Sequence, residues 1–307
     1  MDDKKTPLQS VKIDRLKIAF GKKVVINNFT LSMNAGDHLA LLGVDGSGKS
    51  TLIHTLMGFI RPAGGLAQIA GFDCWKQSID IRRCCGYVPA VPALDKDLSI
   101  NDILNFSARL EGKPTDWDSV QSLVDRFHLD PRKRVASLSL MEVKFTAFIL
   151  CFMTHPQIVL LDDPFLSLDD DGTDVLNVFL EEAFSEGQSL FAAISHPSQA
   201  GRVFKKIALL QEGELVSIVD SERLAGQIVR KVEVIFGAKP PLEQLVKSGM
   251  IRQLSWEGTT LRCCVVGPSG PFLNAINGYD VLDIKSREAD LEETIRAVYL
   301  EGKDASS

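Results

Sequence analysis

The sequence has no long hydrophobic run. Its most apolar stretch, Phe145 to Met153, covers nine residues and includes Thr146, whereas a membrane-spanning helix needs about 20. Any membrane association is therefore expected to come through a partner or the surface. The N-terminal MDDKKTPLQS has no apolar centre, which predicts no secretory signal and a cytosolic chain. An excess of positive charge is missing too, since 34 Lys and Arg stand against 40 Asp and Glu for a net charge of -6. That balance gives no field to hold a phosphate backbone, despite the local patch Arg132 to Arg134, so nucleic acid is not an expected partner. Cysteine is sparse, at six residues, and its neighbouring pairs Cys84/Cys85 and Cys263/Cys264 form no CxxC spacing. Metal and dithiol motifs are thereby excluded, and the thiols read as small hydrophobes in a reducing compartment. No internal repeat or low-complexity tract is present.

What is present is an ordinary globular composition, 45% hydrophobic and 24% charged over 307 residues, enough for two domains of unequal size. From Val11 to Val219, apolar runs (HLALLG at 38–43, CGYVPA at 85–90, QIVLLDD at 157–163, SLFAAISH at 189–196) alternate with helical patterns. Alternation of this kind predicts an α/β fold with a mainly parallel sheet covered by helices. The opening VKIDRLKIAFGKKVVINNFTLSM instead has short-period alternation around a turn at Gly21-Lys22, as an antiparallel β layer would. Residues 97–156 turn helical and form a candidate subdomain. After Arg223 the pattern is strand 230–236, helix 240–248, strand 250–256, strand 259–266, helix 269–277 and strand 279–286, a βαββαβ order of ferredoxin-like type. An amphipathic helix over 290–301 closes the chain. The expected domains are 9–222 and 225–307.

Gly43-Val44-Asp45-Gly46-Ser47-Gly48-Lys49-Ser50-Thr51 fits GxxxxGK[ST] between an apolar strand and a helical pattern. Glycines there let successive backbone N–H groups curl round phosphates, and the helix N-terminus adds partial positive charge. Lys49 is expected to reach the β- and γ-phosphates and Ser50 to ligate Mg²⁺. The run Ile158 to Asp163 is a buried-strand pattern ending in two acids. Asp162 is the candidate to hold Mg²⁺ through water, and Asp163 the candidate general base for the attacking water.

In their order and spacing, these motifs resemble the ATPase domains of ABC transporters over roughly residues 11–219. The resemblance implies ATP and Mg²⁺ as ligands, a phosphate-loop ATPase fold with an antiparallel β layer and a helical subdomain, and a small C-terminal α+β domain. It places Phe20 against adenine, Ser167-Leu168-Asp169 at a dimer interface, and His196 at the γ-phosphate. Ser139, in the signature segment, would cap ATP held by the opposite subunit. Partners implied are a transmembrane permease subunit, docked near 90–106, and a second ATPase chain, identical or different. The location implied is the cytoplasmic face of a membrane, and the LEETIRAVYLEG ending resembles export-type systems. An alternative of a different class is an ATP-binding regulatory ABC protein with little hydrolysis.

The family pattern is broken in three places. Ala90 stands where a glutamine is usual and brings no side-chain oxygen to metal or water. Leu138-Ser139-Leu140-Met141-Glu142 keeps the signature serine but replaces both glycines by bulky residues, and Ser139 with Glu142 also has the spacing of a helix capping box. Asp163 replaces the usual glutamate and is shorter by one methylene, about 1.5 Å. ATP binding with weak or partner-dependent hydrolysis is the expectation.

Overall fold

A computed structural model describes residues 9–112, 114–196, 199, 203–221, 229–240, 251–289, 293–294 and 297–298. The chain divides into two compact units between Leu215 and Val216.

In the first unit, β1 (Gln9–Phe20) and β2 (Lys23–Asn34) form a long antiparallel hairpin about the expected turn. Along β2, Ile26, Phe29, Leu31 and Met33 are buried while their neighbours face outward, the period of a half-buried strand. With β4 (Gly64–Ile69) and β5 (Phe72–Asp73) the hairpin makes a four-stranded sheet in the order β2-β1-β4-β5. This is the antiparallel layer read from the sequence.

A second sheet joins β3 (His38–Leu42), β6 (Cys85–Val88), β7 (Ile158–Asp162), β8 (Ser189–Ile194), β9 (Lys206–Gln211) and β10 (Glu214–Asp220) in the order β10-β9-β3-β8-β7-β6. Strands β3, β7 and β8 are buried at every position. Burial on both faces explains their unbroken apolar runs and is the habit of parallel sheets, and the pairs β3–β8, β8–β7, β7–β6 and β3–β9 are indeed parallel. Parallel strands all end at one edge of the sheet, where ligands of such folds collect.

The helices are α1 (Lys49–Leu56), α2 (Ser78–Cys84), α3 (Ile100–Glu111), α4 (Trp117–Arg126), α5 (Leu140–Phe152) and α6 (Asp170–Ser185). Helix α5 is apolar on all sides and buried along most of its length, as a core helix should be. Its rings build an aromatic cluster: Phe145 stacks on Phe127 at 4.5 Å, and Phe152 meets Phe179 of α6 edge-on at 4.6 Å. None of the described helices is long and apolar enough to cross a membrane.

In the second unit, β11 (Val229–Phe236), β12 (Ile251–Glu257), β13 (Thr260–Val266) and β14 (Val281–Glu288) pair in the order β12-β13-β11-β14. Every neighbouring pair is antiparallel, which is the pairing a split βαββαβ unit requires. Helix α7 (Ser269–Ile276) packs Phe272 and Ile276 on Val232, Val234 and Phe236. The helix expected over 240–248 lies outside the described residues apart from Pro240, as does most of that expected over 290–301.

His38 begins β3 at 3% exposure, its ring edge-on to Phe184 at 4.4 Å and its Nε2 3.2 Å from the Gln188 carbonyl. Burial lowers its pKa from 6.5 to about 4, against the hydrogen bond to Gln188. A base with a depressed folded-state pKa leaves its stabilisation intact above the unfolded value and loses it as pH falls towards the folded one. Denaturant unfolding at pH 7 and pH 5 should therefore show a loss about 2 kcal/mol larger for the wild type than for His38→Gln. Equal losses in the two proteins would remove His38 as the cause.

Candidate active site

The site follows from strand order. Strand β8 lies between β3 and β7, so their carboxyl ends bring the loop 43–48, Ser195 and the Asp162-Asp163 pair together.

The loop is shaped by its glycines. Gly48 has φ 106, and a Cβ there would meet Ile26 Cδ1 at 2.8 Å; a Cβ on Gly43 would meet the Leu210 carbonyl at 2.6 Å. Neither position accepts a side chain without displacing its neighbours. The loop hands over to α1 at Lys49, so free N–H groups of the helix start face the cavity that the loop encloses. That cavity, about 580 Å³, is lined by Gly46, Ser47, Gly48, Lys49, Ser50 and Thr51 together with Phe20, Asp45, Asp163 and Gly213. Phe20, 53% exposed, stands at its wall as a free aromatic face.

Lys49 is buried and donates to the carbonyls of Gly43 at 2.7 Å and Val44 at 3.1 Å. Burial lowers its pKa, opposed by Asp45, Asp163 and Asp162. Besides the two carbonyls its ammonium has only a long ion pair to the exposed Asp45, at 3.9 Å, which leaves it suited to a stronger anion. Ser50 Oγ donates to Asp162 Oδ1 at 2.9 Å. Asp162 is 3% exposed, and burial raises its pKa against the Ser50 hydrogen bond. Its nearest cationic candidate is His54 Nε2 at 4.0 Å. A buried carboxylate beside one hydroxyl fits Mg²⁺, which takes one or two protein oxygens and completes its shell with water and phosphate. Among the described residues, no cluster of three His, Cys, Asp or Glu side chains could hold a metal by itself.

Asp163 follows directly and has φ 45. Its Oδ2 accepts from Ser195 Oγ at 3.0 Å, and the same hydroxyl is 3.5 Å from Asp45 Oδ1. Ser195 thus bridges the phosphate loop and the candidate base. Its signal in the sequence was only its place at a strand end beside His196. The signal for His54 is its place four residues after Ser50, and so on the same helix face. Lys144 was missed for a different reason: it is one lysine inside the apolar run of α5. Its Nζ donates to the carbonyls of Pro89 at 3.1 Å, Ala90 at 2.5 Å and Asp163 at 3.1 Å. Burial draws its pKa down to about 8, opposed by Asp163 and Asp162.

Other candidates lie apart from this cavity's lining. His196 is exposed, and its backbone N–H donates to Gln199 Oε1 at 3.2 Å. Asp169 caps α6 by accepting from the Gly172 N–H at 2.8 Å. Ser139 caps α5 in a full capping box with Glu142. Leu140 is 69% exposed, while Met141 Sδ lies 2.7 Å from where a Cβ on Gly172 would be.

Residues 26–166, which contain the loop and both acids, match the model of the ABC transporter family. That segment is an ABC transporter family domain. Its relatives include the Nod factor export ATP-binding protein I of Paraburkholderia xenovorans, 23% identical with 85% of this chain and 87% of the relative covered. Another is the bacitracin transport ATP-binding protein BcrA of Bacillus licheniformis, 24% identical over 92% and 95% of the two chains. Solved structures agree in fold: an ATP-binding subunit of an ABC transporter superposes with a TM-score of 0.65 at 22% identity, over 70% of this chain and 91% of its own. A dimeric ATP-binding cassette in a post-hydrolysis state with ADP and Pi gives 0.63 at 19%, over 69% and 98%.

The Ser50–Asp162 pair makes a direct prediction for the ABC domain. Ser50→Ala should raise the Mg²⁺ concentration needed for half-maximal nucleotide binding about tenfold, while binding measured in EDTA stays as in the wild type. An unchanged Mg²⁺ dependence would exclude Ser50 as a ligand.

Proposed function

We propose that this chain is the ATP-binding subunit of an ABC exporter, binding and hydrolysing MgATP and driving a separate transmembrane permease. The observation that carries the reading is the shared cavity in which Lys49, the Ser50–Asp162 pair and Asp163 converge. Phosphate would lie on the loop N–H groups and Lys49, with adenine against Phe20. Mg²⁺, held by Ser50 and by Asp162 through water, would neutralise phosphate charge. Asp163, steadied by Ser195, would orient the attacking water. Its side chain is one methylene shorter than glutamate, so hydrolysis is slow or partner-dependent.

Export is supported by relatives matched along most of their length, whose names specify Nod factor export and bacitracin transport. Ser139, Asp169 and His196 are not among the residues that line the cavity of their own chain. This supports a head-to-tail dimer in which Ser139 caps the nucleotide of the second subunit, Asp169 lies at the interface, and His196 meets the γ-phosphate on closure. The second chain is identical or a related ATPase. We propose domain limits of 9–222 for the ATPase and 225–307 for an accessory α+β domain, because a boundary at 222 keeps β10 whole with the sheet it pairs in. The site of action is the cytoplasmic face of the membrane.

Purification of the tagged chain from detergent-solubilised native membranes should bring down a multi-span protein in constant ratio, with the Lys49→Ala variant retaining it. A soluble partner in constant ratio and no membrane protein would refute the transporter assignment.

A further inference from the structure

We propose that Lys144 is a positioning residue for hydrolysis: its ammonium clamps the backbone at 89–90 to the backbone of Asp163 and so holds the candidate base in place. The proposal rests on the ATPase reading above.

Lys144 is 1% exposed and sits in α5 next to Phe145, Ala147 and Phe148, all buried. An ammonium in such surroundings is unfavourable unless its donors are used. All three are, each on a main-chain carbonyl: Pro89, Ala90 and Asp163. An apolar side chain of the same length would fill the space without that requirement, so the ammonium is explained by what the three carbonyls belong to. Pro89 and Ala90 continue β6 past its carboxyl end, and Asp163 continues β7, its parallel neighbour with Val88 beside Leu161. Lys144 therefore ties together the two chain segments that leave the sheet at the candidate active site.

Asp163 needs such a tie. The residue before a proline is pushed towards extended backbone, yet Asp163 precedes Pro164 with φ 45. A side-chain-bearing residue keeps that conformation only where its surroundings hold it. Here the Asp163 N–H donates to the Ala193 carbonyl at 3.0 Å, and its carbonyl accepts from the Leu166 N–H at 3.1 Å as well as from Lys144. The peptide is fixed on both sides, and the carboxylate is thereby directed at Ser195. Of these partners only Lys144 comes from the helix capped by Ser139, so that helix links the signature segment to the backbone of the base. At position 90 the side chain has nothing to offer, and it is the Ala90 carbonyl that Lys144 engages.

The test uses the full chain and its Lys144→Met and Lys144→Arg variants. Steady-state MgATP hydrolysis is measured beside binding of a fluorescent ATP analogue and hydrogen exchange of peptides covering 89–95 and 163–168. Lys144→Met should lower kcat at least about tenfold with KM and nucleotide affinity within about twofold, and Lys144→Arg should recover part of the loss. Exchange in the two peptides should rise about tenfold in Lys144→Met, with β7 and the rest of α5 unchanged. An unaltered kcat, or exchange raised equally through α5 and β7, would overturn the proposal and leave Lys144 a plain core residue. Should the wild type show no Lys49-dependent turnover, the ATPase reading fails by itself. Exchange then decides the clamp: a local rise supports it and no change refutes it.

Discussion

In a parallel sheet all strands finish at the same edge, and the order of strands decides which chain segments meet there. Here β8 lies between β3 and β7. The phosphate loop after β3, Ser195 after β8 and the two acids after β7 are consequently neighbours, although Asp45 and Ser195 are 150 residues apart in the sequence. Everything chemical in the cavity depends on that register. A shift by one residue in β7 would turn Asp162 away from Ser50 and break the direct hydrogen bond between them.

The same geometry explains why buried charge is tolerated. Lys49, Asp162 and Lys144 lie among carbonyls, a hydroxyl and one another, where burial works against the charged form of each. Such an arrangement is costly for folding and useful for binding, since a phosphate and its metal would bring charges opposite to those of Lys49 and Asp162. Lys144 differs from the other two in being already satisfied, which marks it as part of the frame and not of the ligand shell.

Much of this was legible in the sequence. Fixed spacing identified the phosphate loop, because glycines at 43, 46 and 48 and the pair Lys49-Ser50 serve a local geometry. Unbroken apolar runs identified β3, β7 and β8, and alternation identified the β1–β2 layer. Ser139 and Glu142 announced the start of α5. What could not be read was contact across the sheet: nothing local says that Ser195 reaches both Asp45 and Asp163, or that Lys144 turns inward to three carbonyls. A lysine in an apolar helix is an ambiguous letter until the strands that it faces are known. Asp169 illustrates the converse, since its motif suggested an interface while in its own chain the side chain caps a helix.

Hydrolysis of MgATP in this cavity through Lys49 and Asp163 is the step on which the proposed function depends. Steady-state ATPase activity of the purified chain, beside Lys49→Ala and Asp163→Glu with ATP affinity measured separately, tests it most directly. Slow turnover is expected, which Lys49→Ala abolishes and Asp163→Glu raises about tenfold at unchanged affinity. Tight ATP binding with no turnover in either the wild type or Asp163→Glu would contradict it.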